Sequence, residues 1–294
     1  MKLDFDIKHL CVIGDKPIQL ADFSTSIDPL YSKKSDYRDC IDDFRNEINE
    51  LQEMMYAHDR YSMLLVFQAM DAAGKDSTIQ HVMSGINPHG VDVYAFKRPS
   101  DRELDHDYLW RTNACMPRRG HIGIFNRSYY EEVLVARVHP AIVTSVQKLP
   151  TENRNNLDKL WLRRFSEIRN MEDYSYHNGM RIVKFFLHLS KAELRNRFLS
   201  RLNTPSKQWK FSVGDLAERE RWNDYMKYYE ECINATASKD CPWYIVPADD
   251  KKNMRLLVCQ IVLKHLNDMD MSFPELDDET KANIEKYRAQ LEAE

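Results

Sequence analysis

Short apolar runs alternate with amphipathic stretches of helix length along most of the chain. "SMLLVFQ" from Ser62, "VDVYAF" from Val91, "HIGIFN" from His121, "RIVKFFLHL" from Arg181 and "WYIVPA" from Trp243 are rich in β-branched and aromatic residues. Runs of that length and kind predict strands buried on both faces. Helical spacing of apolar positions marks "SDYRDCIDDFRNEINELQEMMYAHD", with Ser35 as a candidate cap, then "RELDHDYLWRTNAC", "YYEEVLVARV", residues 155–171 and "LLVCQIVLKHL". Strands separated by helices imply an α/β fold: a three-layer sandwich whose central parallel sheet carries helices on both faces. In such sheets ligands bind beyond the C-terminal ends of the strands. The pattern divides into an N-terminal arm and helix over 1–60, a core over 61–268 and an acidic C-terminal helix over 269–294. From Asn267 onward nine carboxylates face three basic residues.

Composition narrows the chemistry. A chain of 294 residues, 43% hydrophobic, can bury a large core. Its net charge of −4 excludes nucleic-acid binding by bulk charge, so any polyanion site is local. The six cysteines are scattered without a C-x-x-C pair, which fits reduced thiols in a cytoplasmic protein better than a disulfide framework or zinc site. The start "MKLDFDIKHL" lacks the form of a signal peptide, and no apolar stretch approaches the ~18 residues of a membrane span.

"LLVFQAMDAAGKDSTIQHVM", Leu64 to Met83, runs from an apolar strand through small residues to Gly-Lys and a helix. It is a phosphate loop with departures: Ala69 stands where the usual pattern has Gly, and Asp76 where it has Ser or Thr. Gly74 lets the backbone approach a phosphate, the helix start offers free amides, Ala72 and Ala73 leave room, and Lys75 supplies a point charge. A bare Gly-Lys reads equally as a helix start with an exposed lysine; its place behind an apolar strand turns the reading toward phosphate. Asp71 would repel phosphate unless a cation lay between them, so it reads as a metal ligand or proton acceptor, or else as a helix cap.

A second constellation, "GIFNRSYYEEVLVARVHP", puts Asn126 and Arg127 at the end of the third strand, on the edge where the loop lies. Arg127 there can neutralise a phosphoryl group in transit. Glu131 and Glu132 open the next helix, and for Glu132 the helix dipole is explanation enough. His106, His121 and His139 sit in no spacing that demands a nucleophile, and His139 before Pro140 ends its helix.

Charge is uneven. From Arg181 to Arg221 ten Lys and Arg face four acids, a surplus of six, so the rest of the chain carries −10. Within it, "RFLSRLNTPSKQWKFSVGDLAERERW" interleaves basic residues with Phe198, Trp209 and Phe211 around Pro205. It reads as a mobile lid at about 200–222 that closes over phosphates, against the blander reading of a solvated basic face.

"FQAMDAAGKDSTI", "LDHDYLWR", "GIFNRSYYEEVLVARVHP" and "WKFSVGDLAERERW", in this order, resemble the polyphosphate kinase 2 family from about Tyr37 to Leu266. The resemblance implies a cytoplasmic P-loop kinase-like sandwich with a helical lid, using Mg²⁺, or Mn²⁺ in its place. It would transfer the terminal phosphoryl group of inorganic polyphosphate to a nucleotide. Asp71, Lys75 and Arg127 would be catalytic, with Asp71 the metal ligand and Asn126 and Glu131 further candidates for it; Ala72, Ala73 and Gly74 would cradle phosphate, with Asn126 and Glu131 on the same nucleotide-phosphate site. Asp107 and Arg111 would serve the acceptor; Arg197, Arg201, Lys207, Lys210 and Arg219 would guide polyphosphate. Asn126, where many relatives that use diphosphates carry Asp, points to the subgroup accepting AMP as well as ADP, with GMP and GDP as further acceptors. Glu131 would then replace the missing charge beside the metal. AMP, ADP, ATP and polyphosphate are the implied partners, with no nucleic acid or membrane, and the resemblance favours a homo-oligomer. An ATP-dependent P-loop kinase and a non-catalytic nucleotide- or polyphosphate-binding regulator are the alternatives. Both Lys75 and Asp71 are expected on an exposed loop.

Overall fold

The structure, a computed structural model, describes residues 3–294. Its single sheet contains β1 (Cys11–Val12), β2 (Ser62–Gln68), β3 (Val91–Ala95), β4 (Ile122–Asn126), β5 (Met180–His188) and β6 (Trp243–Pro247) in the spatial order β1-β6-β5-β2-β4-β3. All pairings are parallel except β1 with β6. The five longer strands fall where the apolar runs predict. β1 was not legible: two residues inside a polar arm have no periodicity, and they become a strand only because the edge of β6 offers a ladder.

Helices of eight or more residues are α1 (Lys34–His58), α2 (Lys75–Val82), α3 (Leu157–His177), α4 (Lys191–Leu202), α5 (Val213–Glu220), α6 (Trp222–Thr236), α7 (Lys251–Asn267) and α8 (Asp278–Glu292). Successive side chains of a strand point to opposite faces. Met63, Leu65 and Phe67 of β2 accordingly join the core under α1, α2 and α7, whereas Leu64 and Val66 join the core under α3 and α6. α8 buries none of its residues.

Three local readings differ from the sequence pattern. Ser35 lies inside the first turn of α1, and the capping is done by the Asp36 carboxylate, which accepts from Lys33 N at 2.9 Å. "RELDHDYLWRTNAC" breaks into two single turns, Asp101–Leu104 and Trp110–Asn113, because Asp107 accepts from Leu109 N at 2.9 Å and closes a local turn between them. "YYEEVLVARV" is a 3₁₀ turn, Tyr129–Glu132, followed by the short helix Val135–Val138, which His139 ends as expected.

β2 is central. The chain leaves it for β3 and β4 on one side and then crosses to β5 on the other, so the order reverses at β2. The crevice beyond such a reversal is where open α/β sheets hold ligands, and the Asp71–Lys75 loop opens into it. Among the described residues no helix is long and apolar enough to cross a membrane.

Candidate active site

β2 delivers its last residues into a tight loop whose backbone is unusual. Ala72 has φ +61° and Gly74 φ +101°, and Gly74 is the residue that starts α2. A Cβ on Gly74 would meet only ordinary contacts, at 3.4–3.5 Å, so it is the left-handed backbone rather than lack of room that demands glycine there. Asp71 does not cap α2, because Gly74 occupies that position. Instead Arg127 Nη2 donates to Asp71 Oδ1 at 2.6 Å. Arg127 itself sits at φ +65°, one residue past β4, with its N–H held by Phe67 O at 3.1 Å. The ends of β2 and β4 are thereby laced together, bringing Asp71 and Arg127 to one point.

Lys75 is buried, contrary to the exposed position expected for it. Its Nζ donates to Ala69 O at 2.7 Å and Met70 O at 3.3 Å. The loop carbonyls thus serve as its acceptors. Burial lowers its pKa, while Asp71 pulls the other way. For Asp71, burial alone would raise the carboxyl, but Lys75 and Arg127 outweigh it and hold it below the usual range. Glu131 is raised by its burial, against the attraction of Arg127 and Lys75. The buried Gln68 amide lies 2.9 Å from Glu131 Oε1 and beside Ser128. Two cations and two carboxylates thus form one compact cluster. Asn126 donates to Asp76, the residue standing in place of the usual hydroxyl.

The loop opens into a cavity of about 710 Å³. Its lining includes Asp71 through Ser77, Asn126 and Arg127, together with Arg201 near the end of α4 and Lys207 and Lys210 of the segment between α4 and α5. Nine Lys and Arg against three Asp give it a strongly positive interior. Arg201 is tethered to Lys210 O at 3.1 Å and Asp215 at 3.3 Å, and Lys210 lies over the Trp209 ring, whose centroid is 5.1 Å away. Arg197, expected along the polyphosphate track, also lines this cavity, but it is buried, with its Nη donors on backbone carbonyls and its Nε on the Glu193 carboxylate. Arg219 lines a smaller adjoining cavity of about 170 Å³ with Asp71, Arg127 and Glu131.

Asp107 and Arg111 are not brought to this cavity. They line a neighbouring one of about 300 Å³. There Arg111 Nη1 donates to Lys97 O at 2.7 Å and its Nη2 lies 3.8 Å from Glu132. Glu132 also receives Gln147 at 2.5 Å and the buried Arg164 at 3.4 Å. It is therefore a buried counter-charge to two arginines, which replaces the helix-dipole reading.

Lys97, Arg98 and Lys251 also line the large cavity and were missed. The signal was present: "AFKRP" follows β3 and "PADDKK" follows β6, so both place basic residues on the strand-end edge where Asn126 and Arg127 were sought. Among the described residues no three His, Cys, Asp or Glu side chains form a metal-holding group.

Comparison with known proteins gives the same direction. Residues 31–274 match the family described as Polyphosphate kinase 2. A protein of Rhodopseudomonas palustris named ADP-polyphosphate phosphotransferase is 50% identical over 279 residues, 95% of each chain. An AMP/ADP-polyphosphate phosphotransferase of Meiothermus ruber is 41% identical over 228 residues, covering 78% of this chain and 80% of that one. The crystal structure of polyphosphate kinase 2 from Arthrobacter aurescens superposes with a TM-score of 0.86 at 33% identity, covering all of this chain and 99% of the other. The chain belongs to the polyphosphate kinase 2 family.

Proposed function

We infer that the chain is a polyphosphate-dependent nucleotide kinase, moving the terminal phosphoryl group of inorganic polyphosphate to AMP and ADP. The observation that carries this, beside family membership, is the cavity: a phosphate loop facing a basic wall, with more positive charge than a single nucleotide needs. Transfer would be in line, with little covalent work by side chains and most of the rate from positioning and charge neutralisation. Lys75 and Arg127 would flank the group in transit. To reach a phosphate, Lys75 must leave the carbonyls of Ala69 and Met70, and Arg127 must share itself with Asp71.

A carboxylate 2.6 Å from the arginine that meets phosphate needs its charge answered once phosphate arrives. That donor set fits Mg²⁺, or Mn²⁺, held by one or two carboxylates and completed by substrate phosphates rather than a closed protein cage. Asp71 would hold it, with Asn126 and Glu131 nearby, and the ion would offset charge on the phosphate oxygens. Asn126 paired to Asp76 supports use of monophosphates as well as diphosphates, guanine nucleotides included. A cytoplasmic, homo-oligomeric enzyme is part of the same reading, and so is a core over 61–268 with its lid at about 200–222.

The test is a time course with Mg²⁺, polyphosphate and no ATP, with AMP and ADP in separate tubes. ATP in both supports the reading. ATP from ADP alone removes the monophosphate part. Product only with ATP as donor transfers the assignment to an ordinary P-loop kinase.

A further inference from the structure

Arg197 has a site of its own. It lies midway along α4, 6% exposed, on the face that also buries Leu194 and Phe198. A guanidinium has five N–H donors, and here five acceptors surround it. Nη1 donates to Ala73 O at 2.6 Å and Ala72 O at 3.4 Å; Nη2 donates to Ala248 O and to Asp249 O at 3.2 Å; Nε donates to Glu193 Oε1 at 2.8 Å. Nothing is left over for a phosphate.

The four carbonyls belong to two places. Ala72 and Ala73 are the turn of the phosphate loop, Ala72 in its left-handed conformation; Ala248 and Asp249 follow the end of β6. Asp249 in turn accepts from Ser190 N, at the start of α4, at 2.8 Å. α4 itself carries Arg201 and leads directly into the segment carrying Lys207 and Lys210. One guanidinium therefore ties the phosphate loop, the end of β6 and the helix that carries the basic wall.

The consequence for the loop is geometric. Its peptides are trans, so the N–H of each points away from its C=O. With Ala73 O turned onto Arg197, the Gly74 N–H turns the opposite way. Positive charge on the carbonyl side also polarises the peptide, strengthening its N–H as a donor.

We propose that Arg197 is a positioning residue: it fixes the carbonyls of the phosphate loop so that the Gly74 amide faces the phosphoryl group, the Ala73 amide being spent on Met70 O at 3.3 Å, and it couples that loop to the helix bearing Arg201, without touching polyphosphate itself. This rests on the phosphotransferase reading above. It predicts a particular kinetic split. Lys cannot span five acceptors, so Arg197→Lys loses kcat by at least ~100-fold, while KM for polyphosphate stays within about threefold of the wild type. Lys210→Ala, a contact to the chain itself, shows the reverse, with KM raised and kcat largely kept. In Arg197→Ala, added guanidinium restores part of kcat, by refilling the vacated space.

Both variants are checked for folding by thermal melting, and if Arg197→Ala does not fold, Arg197→Lys decides alone. A rise in KM for polyphosphate with kcat unchanged in Arg197→Lys overturns the proposal in favour of direct contact; unchanged kcat and KM overturn it outright. An inactive wild-type control would instead strike the phosphotransferase reading.

Discussion

Ala72 and Arg127 both line the large cavity in a backbone conformation that side-chain-bearing residues avoid, at a cost of about 1–2 kcal/mol each. Such strain persists only where the surroundings over-determine it. Here they do: Arg127 is held by Phe67 O and Asp71, and Ala72 by Arg197. Removing charge from this cluster should cost rate more than stability. Lys75→Met and Asp71→Asn are each expected to lower kcat by roughly 100- to 1,000-fold, with thermal midpoints near the wild type; near-normal turnover by either purified variant would defeat the assignment. Asp71 also sets a pH limit. Its carboxyl is depressed, so its favourable interaction is whole above the ordinary value of 3.8 and is lost only as pH falls below it. An acid limb of kcat above pH 5 would therefore have to come from another group. Strand-end logic found Asp71, Lys75 and Arg127 from sequence and would have found Lys97 and Lys251. It missed the burial of Arg197, because a charged residue in a basic run looks solvated. The clue lay in spacing, since Leu194 and Phe198 put Arg197 on the buried side of α4.

At the level of elements, the loop after β4 is anchored by a charge inside the core. Lys184 of β5 donates to Glu172 of α3 at 2.5 Å and to Thr236 O at 2.9 Å, and Glu172 also accepts from Tyr129 and Tyr130 at 2.7 Å each. Those tyrosines stand two and three residues after Arg127. Lys184→Met would strand the buried carboxylate, at a cost of about 3–5 kcal/mol, read as a shift in the urea midpoint. Adding Glu172→Leu should recover much of the loss, and a double variant no better than the single would refute pairing as the cause. This anchoring also explains why "YYEEVLVARV" misled as a helix. Tyr129, Tyr130 and Glu132 are all buried, so their positions answer to hydroxyl and carboxylate partners rather than to a 3.6-residue period. The strands were legible because burial on both faces leaves continuous apolar runs. The segment 101–113 was not, because one Asx turn is stronger locally than a weak helical period.

For the whole molecule, part of the basic run read from sequence, Arg197, Arg201, Lys207 and Lys210, meets Lys75, Lys97, Arg98, Arg127 and Lys251 in one chamber. Salt should therefore weaken the longer anion most. Raising ionic strength from about 50 to 200 mM is expected to raise KM for polyphosphate several-fold and more than KM for ADP, since more charges are screened along the chain; equal shifts would argue against an extended basic track. Acid stability has a separate origin. His265 on α7 is packed beside Tyr244, 3.0 Å away, and burial lowers its pKa to about 4. The fold favours the neutral ring, so this contribution is complete above about pH 6.5 and drains as pH falls toward 4. His265→Gln should flatten the loss of stability across that window in denaturant titrations; an unchanged slope would place the sensitivity elsewhere.

The short β1 has a consequence of a different kind. Every residue of its neighbour β6, "WYIVP", is buried, and β1 pairs with the outer edge of its first two, Trp243 and Tyr244. The arm that brings it there is stitched down by Asn234 to Ile18, Glu230 to Leu20 and Asp249 to Thr25. A truncation starting at Ser32 would keep every residue of the candidate site yet bare an apolar strand edge of the type that recruits other chains. Such a protein would be recovered as aggregate rather than as a soluble enzyme, and the polar arm would prove to be what keeps one molecule from another.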